Sequence, residues 1–564
     1  MDKRLSIALL LTALVVAVTP ILFPTPRRTP PATTGQDSLI SKSTPAADSP
    51  MAPAEASATP PSSIPAPAAA TSAPQRDSTA VQPAAMTGEV TTITSEKSIY
   101  RFSNLGAAPL SVTFQEYQDL SPGQKGKVTL LNPGRPLLNY SLVLGGDTIA
   151  LHSTPFTVSR SQGKASEEVI TYRVMLGSVG VAISYTVVPS RYVLRVSGRV
   201  ENAGNDGFLL VDLPSSLPPM EADTLGDLRT LAYSFKQTHE NARGVPFGKL
   251  DPGEKQLEPG PLTWAAVRNK YFVVGVVNTE GGSFEEMTLT GGPRTSKAAT
   301  HASATAVKAL KDGVFSFDVY VGPQQSTQLL ARGRDFDNVN PYGWSFLQPV
   351  VNPIAALCIK LLLWLHDTLK LSYGWVLVIF GIFVRIALWP LNQSAMRSSL
   401  KMQEIQPRLA EVQKKYKDKP ERQREEMMKV YKESGTSPFT ALAGCLPMLI
   451  PMPVLFALFF VFQNTIEFRG VPFMWLPDIS VKDPYYILPV LMGVSMYVLS
   501  WIGLRNAPPN PQAKMMSYMF PVMMTFVLAN MASGLNLYYT TQNIAALPQQ
   551  WLLAKERLKA RQRL

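Results

Sequence analysis

Apolar positions along this chain follow two different rules. At the N-terminus and beyond residue 343 they gather into long uncharged runs, and in between they alternate with polar positions. Near the start, Lys3 and Arg4 precede Leu5–Phe23, a run of 19 uncharged residues. At ~1.5 Å rise per residue such a helix spans roughly 28 Å, close to the hydrocarbon thickness of a bilayer. A cleaved signal peptide is the competing reading. The run passes directly into Pro24-Thr-Pro26-Arg27-Arg28 with no A-x-A site close behind it. Residues 1–23 are therefore expected to be a retained anchor with its N-terminus inside. Residues 24–88 hold thirteen prolines and no aromatic side chain. Such a segment cannot bury enough apolar surface to offset its ordering entropy, and it reads as a disordered tether.

Residues 89–340 have the texture of β-structure. Val181–Val200 alternates and is rich in Val, Tyr and Ile. Tyr271–Val277 and Val314–Val321 are further strand-like runs, and Gly/Pro/Asn/Asp clusters separate them. Many short strands without interleaved long helices predict an antiparallel sandwich. Residues 343–371 are apolar but broken by Lys360, His366, Asp367 and Lys370, with Pro353 expected to open the helix. Ile354, Leu357, Cys358, Leu361, Leu362 and Leu365 recur at helical spacing, which predicts an amphipathic helix lying in the interface.

Residues 373–393 form a stronger membrane segment whose one charge is Arg385. Residues 397–433 are charged and helical. Met402, Ile405, Leu409, Val412 and Tyr416 step by 3, 4, 3 and 4, a heptad seam. Asp418-Lys-Pro-Glu421 resembles a capping box opening a second helix, with Gly435 as its stop. The segment reads as a helical hairpin outside the bilayer. Four more uncharged stretches follow, at Gly444–Phe462, Pro484–Leu504, Met515–Ala532 and Leu535–Ala554. Ser533-Gly534 is expected to be the tight turn between the last two.

Charge fixes the orientation. The net charge is +12, and the hairpin 397–433 and the tail 555–564 each carry +4 of it. Loop 465–483 carries three acids and two bases, while 504–514 holds Arg505, Lys514 and no acid. Six spans with the N-terminus inside place every basic loop inside, as the positive-inside rule asks. The fold class expected is a polytopic α-helical membrane protein of about six transmembrane helices. It carries a large antiparallel β-sandwich outside. Five spans, with Leu5–Phe23 cleaved, leave the later topology unchanged.

Composition removes most catalytic classes. Two cysteines and four scattered histidines (His152, His239, His301 and His366) provide no metal cluster. No Walker-type loop and no H-E-x-x-H occurs. The chain is expected to be no enzyme and to need no cofactor. Arg385 is the most informative residue, because an arginine at mid-helix costs at least ~2.5–3.5 kcal/mol in a bilayer. Snorkelling, an ion pair with Glu467 or another loop acid, and exposure to water inside the protein all remain open. Asn530, Asn536, Thr540, Thr541, Gln542 and Asn543 are further polar residues within spans. Each alone is ordinary interhelical packing, and together with Arg385 they can line a hydrated cavity. No Asp or Glu lies inside any span. Met515, Met516, Met519, Met523, Met524 and Met531 crowd one span, as plain packing or as an adaptable apolar surface.

Several motifs occur in a shared order. They are FGIFVRIALWPL around Arg385, IQPRLAEVQKKY, EEMMKVYKESG, AGCLPMLIPMPVLFALFF, DPYYILPVLMGVSM and SGLNLYYTTQNIAALPQQ. With these, the chain from residue 343 onward resembles the YidC/Oxa/Alb membrane protein insertases. TWAAVRNKYFVVGVV at 263–277 and VYVGPQ at 319–324 resemble the large periplasmic domain of its Gram-negative members. The resemblance implies a periplasmic β-supersandwich, an interfacial helix and a five-helix core around a hydrophilic groove. That groove is open to cytoplasm and lipid. It implies that Arg385 lies in the groove, with Tyr539 as a substrate-contacting tyrosine and Asn543 beside it. A groove threonine of some members falls at Gly381, where the hydroxyl is absent. Three residues are inserted in Ser437–Cys445, and Pro451 replaces a glutamine.

The function expected on this basis is insertion and folding of inner-membrane proteins, alone or with the Sec translocon and its accessory subunits. Nascent integral membrane proteins and lipid are the expected partners. The hairpin and the basic tail are expected to meet ribosomes or targeting factors, and no DNA is expected. An apolar slide would run over Phe456, Phe460, Met519 and Met523. Both termini would be cytoplasmic. A solute transporter or channel is the alternative, and it asks for repeats, a midplane site and a coupling carboxylate that this sequence lacks. A mere anchor for the β-domain leaves Arg385 and the hairpin unexplained.

Overall fold

The computed structural model describes residues 88–562 apart from 164–166, 204–206, 280–281, 295–298, 341–347, 391–392, 394–404, 406–407, 418, 435–451 and 505–510. The expected anchor, nearly all of the tether, Met402, Asp418, Gly435, Cys445 and Pro451 lie outside the described residues.

Alternating sequence becomes strand from Val90 to Pro323. A four-stranded sheet runs from Val90 to Leu131, and a 14-stranded sheet takes up the chain from Asn139 to Pro323. Strand pairing is antiparallel throughout the described residues. One core lies between the sheets. Phe114 stacks on Phe272 with ring centroids 5.5 Å apart, and Phe102 meets Tyr185 at 5.0 Å. The Tyr185 hydroxyl donates to the Ala107 carbonyl at 2.7 Å, so this buried phenol keeps a partner. Phe272–Asn278 is buried at every position because the strands Lys255–Arg268 and Val314–Pro323 flank it and other layers cover both its faces. Its sequence, FVVGVVN, accordingly shows no alternation.

Two short helices belong to this β-domain, α1 (Thr224–Arg229) and α2 (Ser326–Arg332). The rest of the chain is helical. It comprises α3 (Gln348–Leu369), α4 (Tyr373–Ala387), α5 (Pro420–Glu433), α6 (Met452–Asn464), α7 (Ile487–Leu504), α8 (Pro511–Leu528) and α9 (Ser533–Gln562). The C-terminal helix α9 packs against α4 and α7, α8 packs on α7, and α3 lies against α6 and α4. Among the described residues, α3 and α7 are the two helices long and apolar enough to cross a membrane. Tyr373–Ala387, Met452–Asn464 and Lys514–Leu528 are apolar but shorter.

Several expected boundaries move. Pro353 lies inside α3 and does not open it. The buried face of α3 is Val351, Ala355, Cys358, Ile359 and Leu362, while Leu357 is 65% and Trp364 is 58% exposed. The helix is apolar on two faces, one packed on α6 and one turned outward. The second hairpin helix is capped at Lys419, not Asp418, and takes Pro420 in its first turn. Its partner segment packs as the heptad seam predicts, with Ile405 and Leu409 against Met427, Val430 and Tyr431. Ser533 and Gly534 are the first residues of α9, and the turn lies before them. Asn536 Nδ2 reaches back 3.0 Å to the Leu528 carbonyl and so satisfies the end of α8. The basic tail is helical as far as Gln562.

The segment between α6 and α7 docks on the β-domain. Ile466 joins the β-domain core. Glu467 Oε1 accepts from the Ser326 N–H at 3.2 Å, at the start of α2. Arg469 Nε donates to Glu221 Oε1 at 2.8 Å, and its Nη2 donates to the Met220 carbonyl at 3.1 Å. The two side chains of this pair are 4% and 5% exposed. Burial pushes the Glu221 carboxyl up to about 7, with the Arg469 charge opposing that rise.

This joint carries a pH signature. The folded state holds the Glu221 proton up to about 7, whereas an unfolded chain releases it near 4.5. The folded state thus binds more protons in that window, and stability falls as pH rises through it. Arg469→Met removes the charge that opposes the rise and leaves an uncompensated buried carboxylate, a loss of about 3–5 kcal/mol once Glu221 is ionised. Thermal unfolding of both proteins in detergent at pH 5 and pH 8 checks this. The variant should lose clearly more at pH 8, and an equal loss at both would contradict the assignment.

Candidate functional site

The site is built where α4 meets α9. On α4, Val376, Leu377 and Phe380 are buried, while Ile382, Phe383 and Ile386 point outward. Gly381 and Arg385, one turn apart, lie on the side that meets α9. At Gly381 the two helices come close, since a Cβ there would stand 3.1 Å from Thr541 Cγ2. The Gly381 carbonyl accepts from Gln542 Nε2 at 2.9 Å, and Gln542 also meets the Tyr538 hydroxyl at 3.1 Å. One turn on, Arg385 Nη2 donates to Gln549 Oε1 at 2.7 Å. Gln549 is fully buried, and its amide nitrogen reaches the Trp389 carbonyl and Gln393 Oε1, each at 3.3 Å.

Tyr538, Thr541, Gln542 and Gln549 therefore form one polar stripe along α9, because steps of 3, 4 and 7 residues return to the same helix face. Tyr539 and Asn543 sit about 100° away by the same geometry. Asn543 Nδ2 donates to Ser495 Oγ on α7 at 3.0 Å. Tyr539 is half-buried, with its ring 5.8 Å from that of Tyr538. The structure thus brings Gly381 and Arg385 together on one side of α9 and sets Tyr539 and Asn543 on the side toward α7.

Among the described residues Arg385 forms no ion pair. Glu467, one partner considered from sequence, is engaged with α2 instead. The Arg385 Nε–H is buried and meets no acceptor. A guanidinium with one neutral partner and donors to spare keeps its full positive charge among apolar helices.

The α4–α9 seam is closed at one end. At the β-domain end the segment 465–483 closes it. The first N–H groups of α9, which no helical carbonyl can satisfy, are met by this segment. Ser533 N donates to the Val481 carbonyl at 2.7 Å and Gly534 N to the Ile479 carbonyl at 2.9 Å. Phe468 and Phe473 are buried and lie against Tyr373 and Trp375 at the start of α4, with ring centroids 5.2 and 5.4 Å apart. The Phe473 ring rests so closely on Gly374 that no side chain fits there. Asp483 caps α7, accepting from the Leu488 N–H at 2.7 Å. Arg385 lies twelve residues further along α4, roughly 18 Å from this closure.

The four expected slide residues fall on two helices. Met519 and Met523 are 60% and 38% exposed on α8, in an outward face with Val522 and Phe526. Phe456 and Phe460 are half-buried on α6. Sequence reading singled out Thr541 and Gln542 as possible liners but missed Gln549 and Ser495. Gln549 had a signal, a glutamine seven residues after Gln542 in an apolar helix.

Comparison with known proteins places these features in a family. A profile described as the YidC periplasmic domain matches residues 91–356, and one described as 60Kd inner membrane protein matches residues 364–561. The membrane protein insertase YidC of Chlorobium luteolum is 30% identical over 470 residues, covering 78% of this chain and 76% of that protein. That of Chloroherpeton thalassium is 33% identical over 349 residues, and the alignment spans 58% of each chain. A solved structure of an active YidC insertase with its first transmembrane domain resolved is 18% identical. It covers 82% of this chain and 92% of that one, with a TM-score of 0.33. The class defined is thus an inner-membrane protein with a periplasmic β-sandwich domain and a helical C-terminal region. The chain belongs to the YidC family of membrane protein insertases.

Gly381→Thr would press its added Cβ onto Thr541. It should lower the melting temperature, at a cost of about 1–3 kcal/mol for overpacking. An unchanged or raised melting temperature would show that α4 and α9 do not depend on this approach.

Proposed function

We propose that the chain inserts membrane proteins by admitting a polar segment of the nascent substrate to the α4–α9 seam from the end away from the β-domain. No bond is made or broken. A polar segment crossing hydrocarbon loses its hydration, which costs several kcal/mol for each unpaired group. Arg385 and Gln542 offer partners in place of that water. The apolar part of the substrate leaves over the outward faces of α8 and α6 into lipid, driven by transfer of ~20 apolar residues. The exposed Met519 and Met523 suit varied apolar partners because thioethers repack easily. With the N-terminal anchor retained as a sixth span beside five in the core, both termini and the hairpin are cytoplasmic. The Sec translocon, ribosomes and targeting factors are partners on this reading, the last two through the hairpin and α9's basic end.

The observation that carries the reading is the asymmetry of the seam, with a charged group that pairs with no acid among the described residues at one level and a closed aromatic end at the other. A solute transporter needs access from both sides, and a channel needs an open path.

Purified protein in liposomes, given a small two-span substrate with an acidic or a neutral translocated loop, tests it. Arg385→Lys should retain much of the activity, since the charge remains. Arg385→Ala should impair the acidic substrate by about tenfold more than the neutral one, the worth of one charge-assisted hydrogen bond. A uniform loss with a fallen melting temperature would overturn the groove-charge reading. Replacing residues 397–433 by a short loop should abolish insertion in cells at normal protein level, and growth of such a strain would refute a receiving role for the hairpin.

A further inference from the structure

The contacts around Gln549 go beyond holding two helices together. Its side chain is fully buried and bonded at both ends. The amide nitrogen donates to the Trp389 carbonyl and to Gln393 Oε1, both just beyond the end of α4. A main-chain carbonyl accepts only, so it fixes which way the amide faces. The amide oxygen is thereby turned to Arg385 Nη2 at 2.7 Å.

Two consequences follow from the chemistry of that oxygen. It is strong enough to hold one N–H of the guanidinium, which otherwise has a long flexible stem. It is also neutral. A carboxylate at the same place would hold the guanidinium more firmly and cancel its charge. The amide sets the direction and leaves the charge and the remaining donors available, among them the buried Nε–H that meets no acceptor. Gln542 secures the helix spacing this bond spans, through the Gly381 carbonyl.

We infer that Gln549 is a positioning residue for Arg385, orienting the guanidinium toward the seam with a neutral acceptor so that its charge stays available to an acidic segment of substrate. The inference rests on the groove reading of Arg385 proposed above. Gln549 acts through Arg385 and need not touch substrate.

The test uses the full chain in liposomes and reads the ratio of acidic to neutral substrate inserted. Gln549→Glu keeps an oxygen at the same reach and places a negative charge on the guanidinium. It should lower that ratio about tenfold, as Arg385→Ala does, the worth of one charge-assisted hydrogen bond. Gln549→Met keeps the volume, removes the acceptor and leaves the charge, and should lower the ratio by less. A merely structural glutamine would lower both substrates alike and leave the ratio unchanged. Abundance and melting temperature are recorded for each variant. If Gln549→Glu fails to accumulate, the Met variant decides, since an unchanged ratio there also overturns the inference. Charge-dependent loss in Arg385→Ala with a wild-type ratio in Gln549→Glu would refute the positioning role and leave the groove reading standing. No charge dependence in Arg385→Ala would refute both.

Discussion

A full positive charge set among apolar helices is the constraint on which the helical half of this molecule depends. Burying a guanidinium in hydrocarbon is costly, and proteins commonly answer by supplying an acid or by removing the charge. Among the described residues no acid pairs with Arg385. Arg385 is held by the amide of Gln549, and the polar groups that line the seam are amides and a hydroxyl on α9 and main-chain carbonyls of the segment 381–389. The neighbouring helices approach closely where Gly381 allows it. Such an arrangement stabilises a charge without spending it, which is what a device meant to meet polar substrate segments needs.

The β-domain end shows the opposite chemistry. Aromatic rings and main-chain hydrogen bonds from the segment 465–483 close the start of α4 and of α9. That segment is itself tied to the β-domain through Ile466, Glu467 and Arg469. The sandwich thus braces the closure, and the buried Glu221–Arg469 pair is its one ionic joint among the described residues. Removing water from one end and keeping polar groups deeper in gives the seam a direction.

Much of this was legible in the chain. Alternation in Val181–Val200 announced antiparallel strands, and Arg385 stood out as one charge in an otherwise uncharged run. The heptad steps of Ile405 and Leu409 led to the packed hairpin seam. What escaped was interhelical. Asn543 and Ser495 lie 48 residues apart, and nothing local in either marks the other as its partner. The grouping of Tyr539 and Asn543 with Arg385 came from family likeness, and the α9 helix turns them toward α7 instead. The buried face of α3 was misplaced because that helix is apolar on two sides, and periodicity alone cannot say which side finds a neighbour. The turn before α9 was set too late because Ser533 and Gly534 read as loop residues, while the carbonyls of Ile479 and Val481 that let them start a helix are remote in sequence.

One-sided access is the central claim, and labelling tests it most directly. In a chain whose native cysteines are replaced, Gln542→Cys probes the seam and Ser533→Cys probes the closure. A membrane-impermeant maleimide is applied to vesicles of each orientation. The account predicts labelling at 542 from the cytoplasmic side alone, and no labelling at 533 from either side while the β-domain is docked. Labelling of 542 from the periplasmic side would contradict it.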